Sequence, residues 1–283
     1  MERIAIISDI HGNLEALKTV LDDIKKRDID RIICLGDIIA KGRHFSECIK
    51  LVRDNCDVVI QGNCDYYFSS FTKADNDINN KRLQYNRENT TEEDREYLSK
   101  LPYSYEMKLS GNLVRFYHAT PDRINGYVGD MDNLDTYYKM FLPSSNTVSQ
   151  SIADIVVCGH IHKTYMMKVF NRTIVNVGSV GNSFEVYRHK DRDASYKNVT
   201  KATYLILGGN IDSDEVGPIS YEFVELDYDI LKELSTSCDA FEYEGLESEI
   251  KYGLYRDLES IRDSLASRGL NIEDIDIEKI HNS

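Results

Sequence analysis

Five short runs of β-branched and other apolar residues recur along the chain. They are RIAIIS (3–8), RIICLG (31–36), DVVIQG (57–62), LVRFYH (113–118) and DIVVCG (154–159). Continuous apolar runs of this length are typical of strands that are buried on both faces. The pattern therefore predicts a largely parallel sheet that is covered on both sides.

The segments between the first three runs carry apolar residues at the spacing of a helix. These residues are Leu14, Leu17, Leu21 and Ile24 in the first segment and Phe45, Ile49 and Val52 in the second. Strands that alternate with helices in this way indicate an α/β domain.

Residues 64–101 are mostly polar and interrupt this alternation. Thr91 and Asp94 resemble a capping box at the start of a helix, with Asp in the place of Glu. We therefore expect a helical insertion over one edge of the sheet. Farther along the chain, a hairpin turning at 171–172 and apolar runs at 203–207 and 221–226 predict a second sheet.

A stripe of leucine and isoleucine after residue 229 predicts a long amphipathic helix. Its members are Leu246, Ile250, Leu254, Leu258, Ile261 and Leu265. Tyr243, Tyr252 and Tyr255 add aromatic side chains of a type enriched at protein interfaces. We therefore divide the chain into a domain at 1–228 and a helical extension at 229–283, which packs on the domain and is a candidate for self-association.

The net charge is strongly negative, because 34 Lys and Arg stand against 48 Asp and Glu and give a formal charge of -14. Such a surface repels phosphate backbones and anionic lipids, which argues against partners such as long nucleic acid or a membrane. The apolar run in MERIAIISDIHGN is too short for a signal peptide or a membrane span. The six cysteines lack C-x-x-C spacing and suit the reduced thiols of a cytoplasmic protein.

Polar side chains of the kind that bind metals follow all five strands. They are Asp9 and His11 after the first strand, Asp37 after the second, Asn63 after the third, His118 after the fourth, and His160 and His162 after the fifth. Because the carboxyl ends of parallel strands open on one crevice, we expect these seven residues to meet there. A lone Asp in such a position is usually a turn residue, but seven suitable side chains together favour a metal site.

The mixture of imidazoles, carboxylates and an amide oxygen limits the choice of metal. It favours Mn or Fe, with Zn as a further candidate. Seven ligands are too many for one ion, whereas two divalent ions that share one carboxylate would use them all. A hydroxide held between two such ions would be available as a nucleophile near neutral pH.

Six short motifs resemble, in order and spacing, those of the calcineurin-like metallophosphoesterases. They are DIHGN, GDII, GNCD, the histidine of YHATPD, GHIH and NVGSVG. The resemblance covers residues 1–228 and is greatest to the small bacterial phosphodiesterase-type members. It implies a four-layered α/β/β/α sandwich with a helical C-terminal appendage outside the motif region. It also implies one metal on Asp9, His11 and His162, a second on Asn63, His118 and His160, and Asp37 as the bridge between them.

One residue departs from the family pattern, because Cys64 stands where many members have a histidine that assists the leaving group. A small packed residue explains Cys64 better than a catalytic thiol does. His44 is a candidate for the missing acid and Arg43 for a phosphate clamp, although either residue could be a plain exposed residue at the start of a helix. Without that acid, substrates with acidic leaving groups are favoured, such as aryl or nucleotide diesters and phosphoanhydrides.

The predicted function is that of a dinuclear metal-dependent phosphoesterase, foremost a phosphodiesterase. The alternatives are a phosphomonoesterase, a dinucleoside polyphosphate hydrolase, or a non-catalytic binding module on the same fold. The substrate is expected to be a small phosphorylated molecule, with nucleotides among the candidates. Aromatic residues of the insertion would either stack a base over the crevice or form a small satellite core; they are Tyr66, Tyr67, Phe68, Phe71 and Tyr85.

Overall fold

Two five-stranded sheets lie at the centre of the protein. The computed structural model describes residues 1–69, 81–130, 132–183, 200–241 and 243–252. Within these ranges the strands are β1 Glu2–Ile7, β2 Arg31–Cys34, β3 Val58–Val59, β4 Ser104–Leu109, β5 Asn112–Tyr117, β6 Ile155–Cys158, β7 Thr164–Val169, β8 Arg172–Val177, β9 Ala202–Gly209 and β10 Ser220–Leu226. The helices are α1 Leu14–Ile24, α2 Phe45–Asn55, α3 Asn63–Ser69, α4 Lys81–Glu88, α5 Glu92–Ser99, α6 Leu134–Phe141, α7 Ile230–Thr236 and α8 Tyr243–Tyr252.

The first sheet has the order β10-β9-β1-β2-β3, and the second has the order β4-β5-β6-β8-β7. In the first sheet β1, β2 and β3 are parallel, whereas β9 and β10 run antiparallel to their neighbours. In the second sheet β5, β6 and β8 are parallel and are flanked by antiparallel β4 and β7. The five predicted strands are therefore shared between the sheets, three in one and two in the other.

The strands after residue 200 differ from the prediction. We expected them to belong to a second sheet, but β9 pairs with β1 and extends the first sheet instead. Every position of β9 is buried, so both of its faces need cover and a place beside the central strand supplies it. The predicted hairpin is confirmed as β7 and β8, and it belongs to the second sheet.

Three apolar clusters separate four layers. Between the sheets lie residues from both of them, such as Ile6, Ile33 and Val157. On the outer face of the first sheet α1 and α2 bury Leu17 and Phe45, among others. On the outer face of the second sheet α6 packs against strand residues, which completes the predicted α/β/β/α sandwich.

The insertion is helical, as predicted, and its capping box is present. The hydroxyl of Thr91 accepts from the Asp94 N–H, and the Asp94 carboxylate accepts from the Thr91 N–H. Phe68 is buried, and Tyr85 packs edge-on to Phe45, with 5.9 Å between the ring centroids. These two rings therefore belong to the main core beside α1 and α2 and not to a separate satellite core. Tyr66 and Tyr67 are exposed, and Phe71 lies outside the described residues.

The chain after residue 229 forms two short helices, α7 and α8, in its described part. Leu246 and Ile250 of the predicted stripe are buried with Ile230 and Leu234 of α7. The stripe members from residue 254 onward, and Tyr255, lie outside the described residues. None of the helices in the described ranges is long and apolar enough to cross a membrane.

Candidate metal centre

The seven predicted ligands come together where strands of both sheets end. Asp9 and His11 follow β1, Asp37 follows β2, and Asn63 begins α3 just after β3. His118 follows β5 of the second sheet, and the turn after β6 supplies the two remaining strand-end histidines, His160 and His162. The crevice therefore lies between the carboxyl ends of two sheets rather than along one.

One half of the centre consists of Asp9, His11 and His162, whose ligand atoms all lie within 4.8 Å of one another. The Nε2 atom of His162 lies 3.0 Å from Nε2 of His11 and 3.2 Å from Oδ1 of Asp9. Asp9 Oδ2 accepts from the Ser8 hydroxyl and from the His160 N–H. Asp9 Oδ1, by contrast, is buried and has no hydrogen-bond partner among the described residues. A buried carboxylate oxygen of this kind is costly unless a cation satisfies it, so these residues fit a metal ion.

The other half is built around His118. Its Nε2 atom lies 3.0 Å from Asn63 Oδ1 and 3.5 Å from Asp37 Oδ2. Asp37, His118 and His160 form a second group whose ligand atoms lie within 4.8 Å of one another. Asp37 Oδ2 is also 3.7 Å from Nε2 of His11. The Asp37 carboxylate thus lies between the two halves, where a shared ligand is needed.

Backbone carbonyls fix the orientation of three imidazoles. Nδ1 of His11 bonds to the Ile39 carbonyl at 3.1 Å, Nδ1 of His118 to the Leu35 carbonyl at 2.9 Å, and Nδ1 of His162 to the Asn182 carbonyl at 2.6 Å. A carbonyl can only accept, so each Nδ1 carries a proton, and in the neutral ring Nε2 is then the atom with the lone pair. This is the tautomer that a metal ion requires.

Burial and neighbouring charges shift the pKa values of the residues in the centre. Burial lowers the pKa of His11, and His162 and Lys41 lower it further. Burial lowers the pKa of His160 to about 4, with a further contribution from His118. Burial alone would raise the pKa of Asp9, but the surrounding imidazoles hold it well below its usual range. The Asp9 carboxylate is thus ionised beside the neutral imidazoles of His11 and His160, which is the state that ligates metals.

His118 responds in the opposite direction. Its burial acts to lower the pKa, but Asp37 and then Asp9 outweigh that effect and raise the pKa above its usual value. The negative charge of these two carboxylates therefore acts on His118 more strongly than its burial does. A cation placed among them would replace the proton that they otherwise favour on His118.

Sharp turns place the ligands at the ends of their strands. Five of the seven have positive φ: Asp9 (54°), His11 (53°), Asp37 (52°), His160 (71°) and His162 (60°). Such backbone is unfavourable for residues other than glycine and persists only where the surroundings impose it. The turn after β1 is held by the Asp9 N–H and the His11 N–H, which donate to carbonyls of the turn after β2.

Asp65 is a further residue of the site to which sequence reasoning gave no role. It is fully buried, and its carboxylate accepts from the N–H groups of Asp37 (2.7 Å), Ile38 (3.0 Å) and Gly62 (3.1 Å). These bonds hold the turn that carries Asp37. The signal was available, since Asp65 ends the motif GNCD, but its partners are backbone groups that no sequence pattern reveals.

Cys64 lies beside the centre as a neutral thiol. Burial raises its pKa well above the usual range, and Asp37 adds to the effect. Its N–H donates to Asp37 Oδ1 at 2.8 Å, so its backbone supports the carboxylate between the halves. These contacts agree with the interpretation of Cys64 as a packed residue.

His44 and Arg43 contact other parts of the chain. Nε2 of His44 lies 2.9 Å from the Thr236 hydroxyl of α7. The Arg43 guanidinium bonds to the Asp239 carboxylate at 2.9 Å and to Asn89 of the insertion. Their side-chain hydrogen bonds in the described part of the chain thus go to the extension and the insertion, not to the seven predicted ligands. The predicted roles of leaving-group acid and phosphate clamp stay predictions.

Comparison with known proteins agrees with this geometry. Residues 2–200 match the calcineurin-like phosphoesterase superfamily domain, and the chain belongs to this family. The uncharacterized protein MJ0912 of Methanocaldococcus jannaschii is 34% identical over 241 residues, which cover 81% of this chain and 89% of that protein. The family and the His/Asp groups together support a phosphoesterase that uses divalent metal ions.

Two crystal structures share the fold. A metallophosphoesterase from Sphaerobacter thermophilus is 23% identical with a TM-score of 0.63, and the match covers 89% of this chain and all of the other (100%). The hypothetical protein PH1004 from Pyrococcus horikoshii OT3 is 19% identical with a TM-score of 0.67, over 90% of this chain and 98% of that one. Both matches extend beyond the family domain into the C-terminal part of the chain.

Proposed function

We propose that this protein is a dinuclear metal-dependent phosphoesterase that acts foremost on phosphodiesters. The observation that carries the proposal is the position of Asp37, whose Oδ2 atom faces His11 of one half and His118 of the other. Asp9, His11 and His162 would hold one ion, and Asn63, His118 and His160 would hold the second. Mn or Fe is the preferred metal, and Zn is a further candidate.

Bound ions would polarise the phosphoryl oxygens and activate water as the nucleophile. The chain itself orients the ligand side chains and surrounds them with buried, low-dielectric protein. Three Nδ1 atoms are fixed by carbonyls, so the facing Nε2 atoms need no reorganisation when a metal binds. His160 is the ligand histidine that is only partly buried, and it marks the side from which a substrate would enter.

The absence of an imidazole at position 64 shapes the expected substrate range. The Cys64 thiol, with its raised pKa, is a poor proton donor to a departing alkoxide. We therefore propose substrates with acidic leaving groups, namely aryl or nucleotide diesters and phosphoanhydrides. The partner is a small phosphorylated molecule, and a nucleotide is one candidate.

The test is hydrolysis by the purified protein. Bis-p-nitrophenyl phosphate and p-nitrophenyl phosphate should both be assayed with added Mn²⁺ and again after EDTA treatment. We expect metal-dependent turnover, with the diester preferred. Turnover of neither compound by a protein that demonstrably holds metal would overturn the proposal, and a preference for the monoester would reassign it to the phosphomonoesterases.

A screen of nucleotides and phosphorylated metabolites then decides the natural substrate class. Release of phosphate and of nucleoside monophosphate should be measured separately, because dinucleoside polyphosphates yield nucleotide products. The cytoplasmic location remains our proposal. It is supported by the six cysteines, which are all free thiols.

A further inference from the structure

Glu249 of α8 is a buried carboxylate that reaches toward the metal centre from the C-terminal extension. It is 6% exposed. Its Oε2 atom accepts from Nζ of Lys41 at 2.8 Å and from Nδ2 of Asn182 at 2.5 Å. The two donors are separated in sequence, but each lies on a loop that touches one histidine of the same half of the centre.

Lys41 lies on the loop that holds His11. Two residues before it, the Ile39 carbonyl accepts from Nδ1 of His11. One residue after it, the Gly42 N–H donates to the His11 carbonyl at 2.8 Å. Ala40 and Lys41 have φ of 74° and 67°, so this tight loop adopts backbone that must be held in place from outside.

Asn182 holds the other histidine of that half. Its carbonyl accepts from Nδ1 of His162 at 2.6 Å. Its N–H donates to the Ser179 hydroxyl oxygen, and that hydroxyl donates to the Asp9 carbonyl at 2.7 Å. A displacement of Asn182 would therefore move the acceptor that sets the orientation of His162.

We propose that Glu249 is a positioning residue for the metal ion on Asp9, His11 and His162. One carboxylate oxygen ties together the two loops whose carbonyls orient the two imidazoles of this half. The inference rests on the metal centre proposed above and assigns part of it to the C-terminal extension.

The second half of the centre has an independent support. His118 is oriented by the carbonyl of Leu35, which directly follows β2, and the Leu35 N–H donates to the Ile7 carbonyl of β1 at 2.8 Å. These groups belong to the sheet and not to the loops that Glu249 contacts. Loss of Glu249 should therefore weaken one metal site and leave the other unchanged.

Charge adds to the effect of position. The Lys41 side chain is only 14% exposed, and its ammonium lies 2.8 Å from the Glu249 carboxylate. Removal of the Glu249 charge takes away one anionic partner of this largely buried cation, which then opposes binding of a metal ion nearby more strongly. Position and charge thus predict the same direction of change at the same half.

The test compares the full-length E249Q and E249A variants with E247Q as the matched control. Glu247 lies on the same helix and pairs only with Lys251 one turn away among its described ion pairs. Mn²⁺ binding to the metal-free proteins should be measured by titration calorimetry, and bound metal should be counted after dialysis. We expect one of two sites to weaken about 10–100-fold in both Glu249 variants, as is usual for partners of ligating histidines. E247Q should retain both sites.

A second measurement needs no metal and no substrate. Nitrogen-15 NMR of the histidines in the metal-free protein reports which ring nitrogen carries the proton. In E249A the Nδ1–H form of His162 should lose population relative to the wild type, while His118 keeps it. Two unchanged metal affinities together with an unchanged His162 tautomer would overturn the inference, and so would equal weakening of both sites. A protein that binds two ions as predicted but hydrolyses no phosphoester would overturn the proposed function and leave the role of Glu249 standing.

Discussion

The Nε2 atoms of His11 and His162 lie 3.0 Å apart, and the Nδ1 atom of each ring is bonded to a backbone carbonyl. In the neutral rings, both Nε2 atoms therefore present lone pairs to each other. They lie beside Asp9 Oδ1, which has no hydrogen-bond partner in the described part of the chain. The folded chain concentrates electron-rich atoms here at a cost in stability, and a cation removes that cost.

Metal binding should accordingly raise the stability of the protein. Because the unfolded chain lacks the assembled site, Mn²⁺ at about 100 times its dissociation constant should add about 2.7 kcal/mol to the free energy of unfolding. Urea denaturation with Mn²⁺ and with EDTA measures the difference. Equal midpoints under the two conditions would speak against a preformed metal site.

Replacement of the shared carboxylate should abolish hydrolysis. Loss of a partner of a metal ligand already costs about 10–100-fold, so D37N, which alters a ligand of both halves, should lower kcat/KM by more than about 100-fold. D57N is a suitable control, because Asp57 is an exposed aspartate that accepts from the Ile32 N–H. D37N also separates the enzyme from a binding module, since a docking surface would keep its partner while hydrolysis is lost.

The metal-free protein should lose stability as the pH falls below neutral. The pKa of His160 is lowered from 6.5 to about 4 in the folded state, and the pKa of His11 is lowered as well. Between about pH 4 and 6.5 these two imidazoles bind more protons in the unfolded chain than in the folded one, so their contribution to stability rises with pH and is lost as the pH falls. Burial raises the pKa of Asp65 to about 7, so this one carboxyl group acts in the opposite sense and offsets one of the two imidazoles. His118, with its raised pKa, acts in the opposite sense above pH 6.5.

The H160Q variant isolates one of these protons. Its slope of unfolding free energy against pH should be smaller by up to about 1.4 kcal/mol per pH unit inside the window. Urea denaturation at several pH values in EDTA gives both slopes. Superimposable slopes for H160Q and the wild type would mean that His160 titrates normally in the folded protein.

Gly181 should tolerate no side chain. A Cβ atom at this position would lie 1.8 Å from the Ile10 carbonyl oxygen, between the two ligands Asp9 and His11. We expect G181A to lower the free energy of unfolding by about 1–3 kcal/mol and to weaken metal binding, because the ligand turn must move. Thermal unfolding and Mn²⁺ titration of the same sample test both effects.

Gly245 is the control for Gly181, because it has room for a side chain. It lies within α8, and a Cβ atom there would meet no atom of the described part of the chain within 4 Å. G245A should therefore stabilise the protein by about 0.5–1 kcal/mol through its helix propensity and leave the metal affinities unchanged. Destabilisation by both alanines would indicate that the contacts of Gly181 are not the cause.

Truncation after Asp229 should lower the melting temperature. It removes the cluster of Ile230, Leu234, Leu246 and Ile250, and it exposes the surface of α1 that α7 covers. Calorimetry of the two chains measures the change, and an unchanged melting temperature would remove the packing claim. Light scattering after size exclusion tests self-association, which an unchanged mass would not support.

Much of the sandwich was predictable because its buried strands are continuous apolar runs. The exceptions follow from what a local pattern cannot contain. β4 was not predicted because Glu106 and Lys108 interrupt its apolar pattern. In the folded protein Glu106 forms an ion pair with the buried guanidinium of Arg115. The place of β9 beside β1 depends on pairing between distant segments, which periodicity does not encode.

The seven candidate ligands could be picked out in the sequence because each follows a strand within a recognisable motif. The residues that hold these ligands in position could not be recognised from the sequence. Asp65 acts through three backbone N–H groups, and Glu249 acts through a lysine and an asparagine on two other loops. Such residues look like ordinary acidic positions until the chain is folded.

The central position of β1 bears on how the protein is made. β1 lies between β2 and β9, and Ile4 pairs with Arg31 on one side and with Leu207 on the other. While the chain is being synthesised, β2 can dock early, but the other edge of β1 stays open until residues 202–209 have left the ribosome. The Asp9 turn at the end of β1 is therefore completed late. Metal loading should then follow translation rather than accompany it, and a stalled nascent chain would expose an apolar strand edge that invites aggregation.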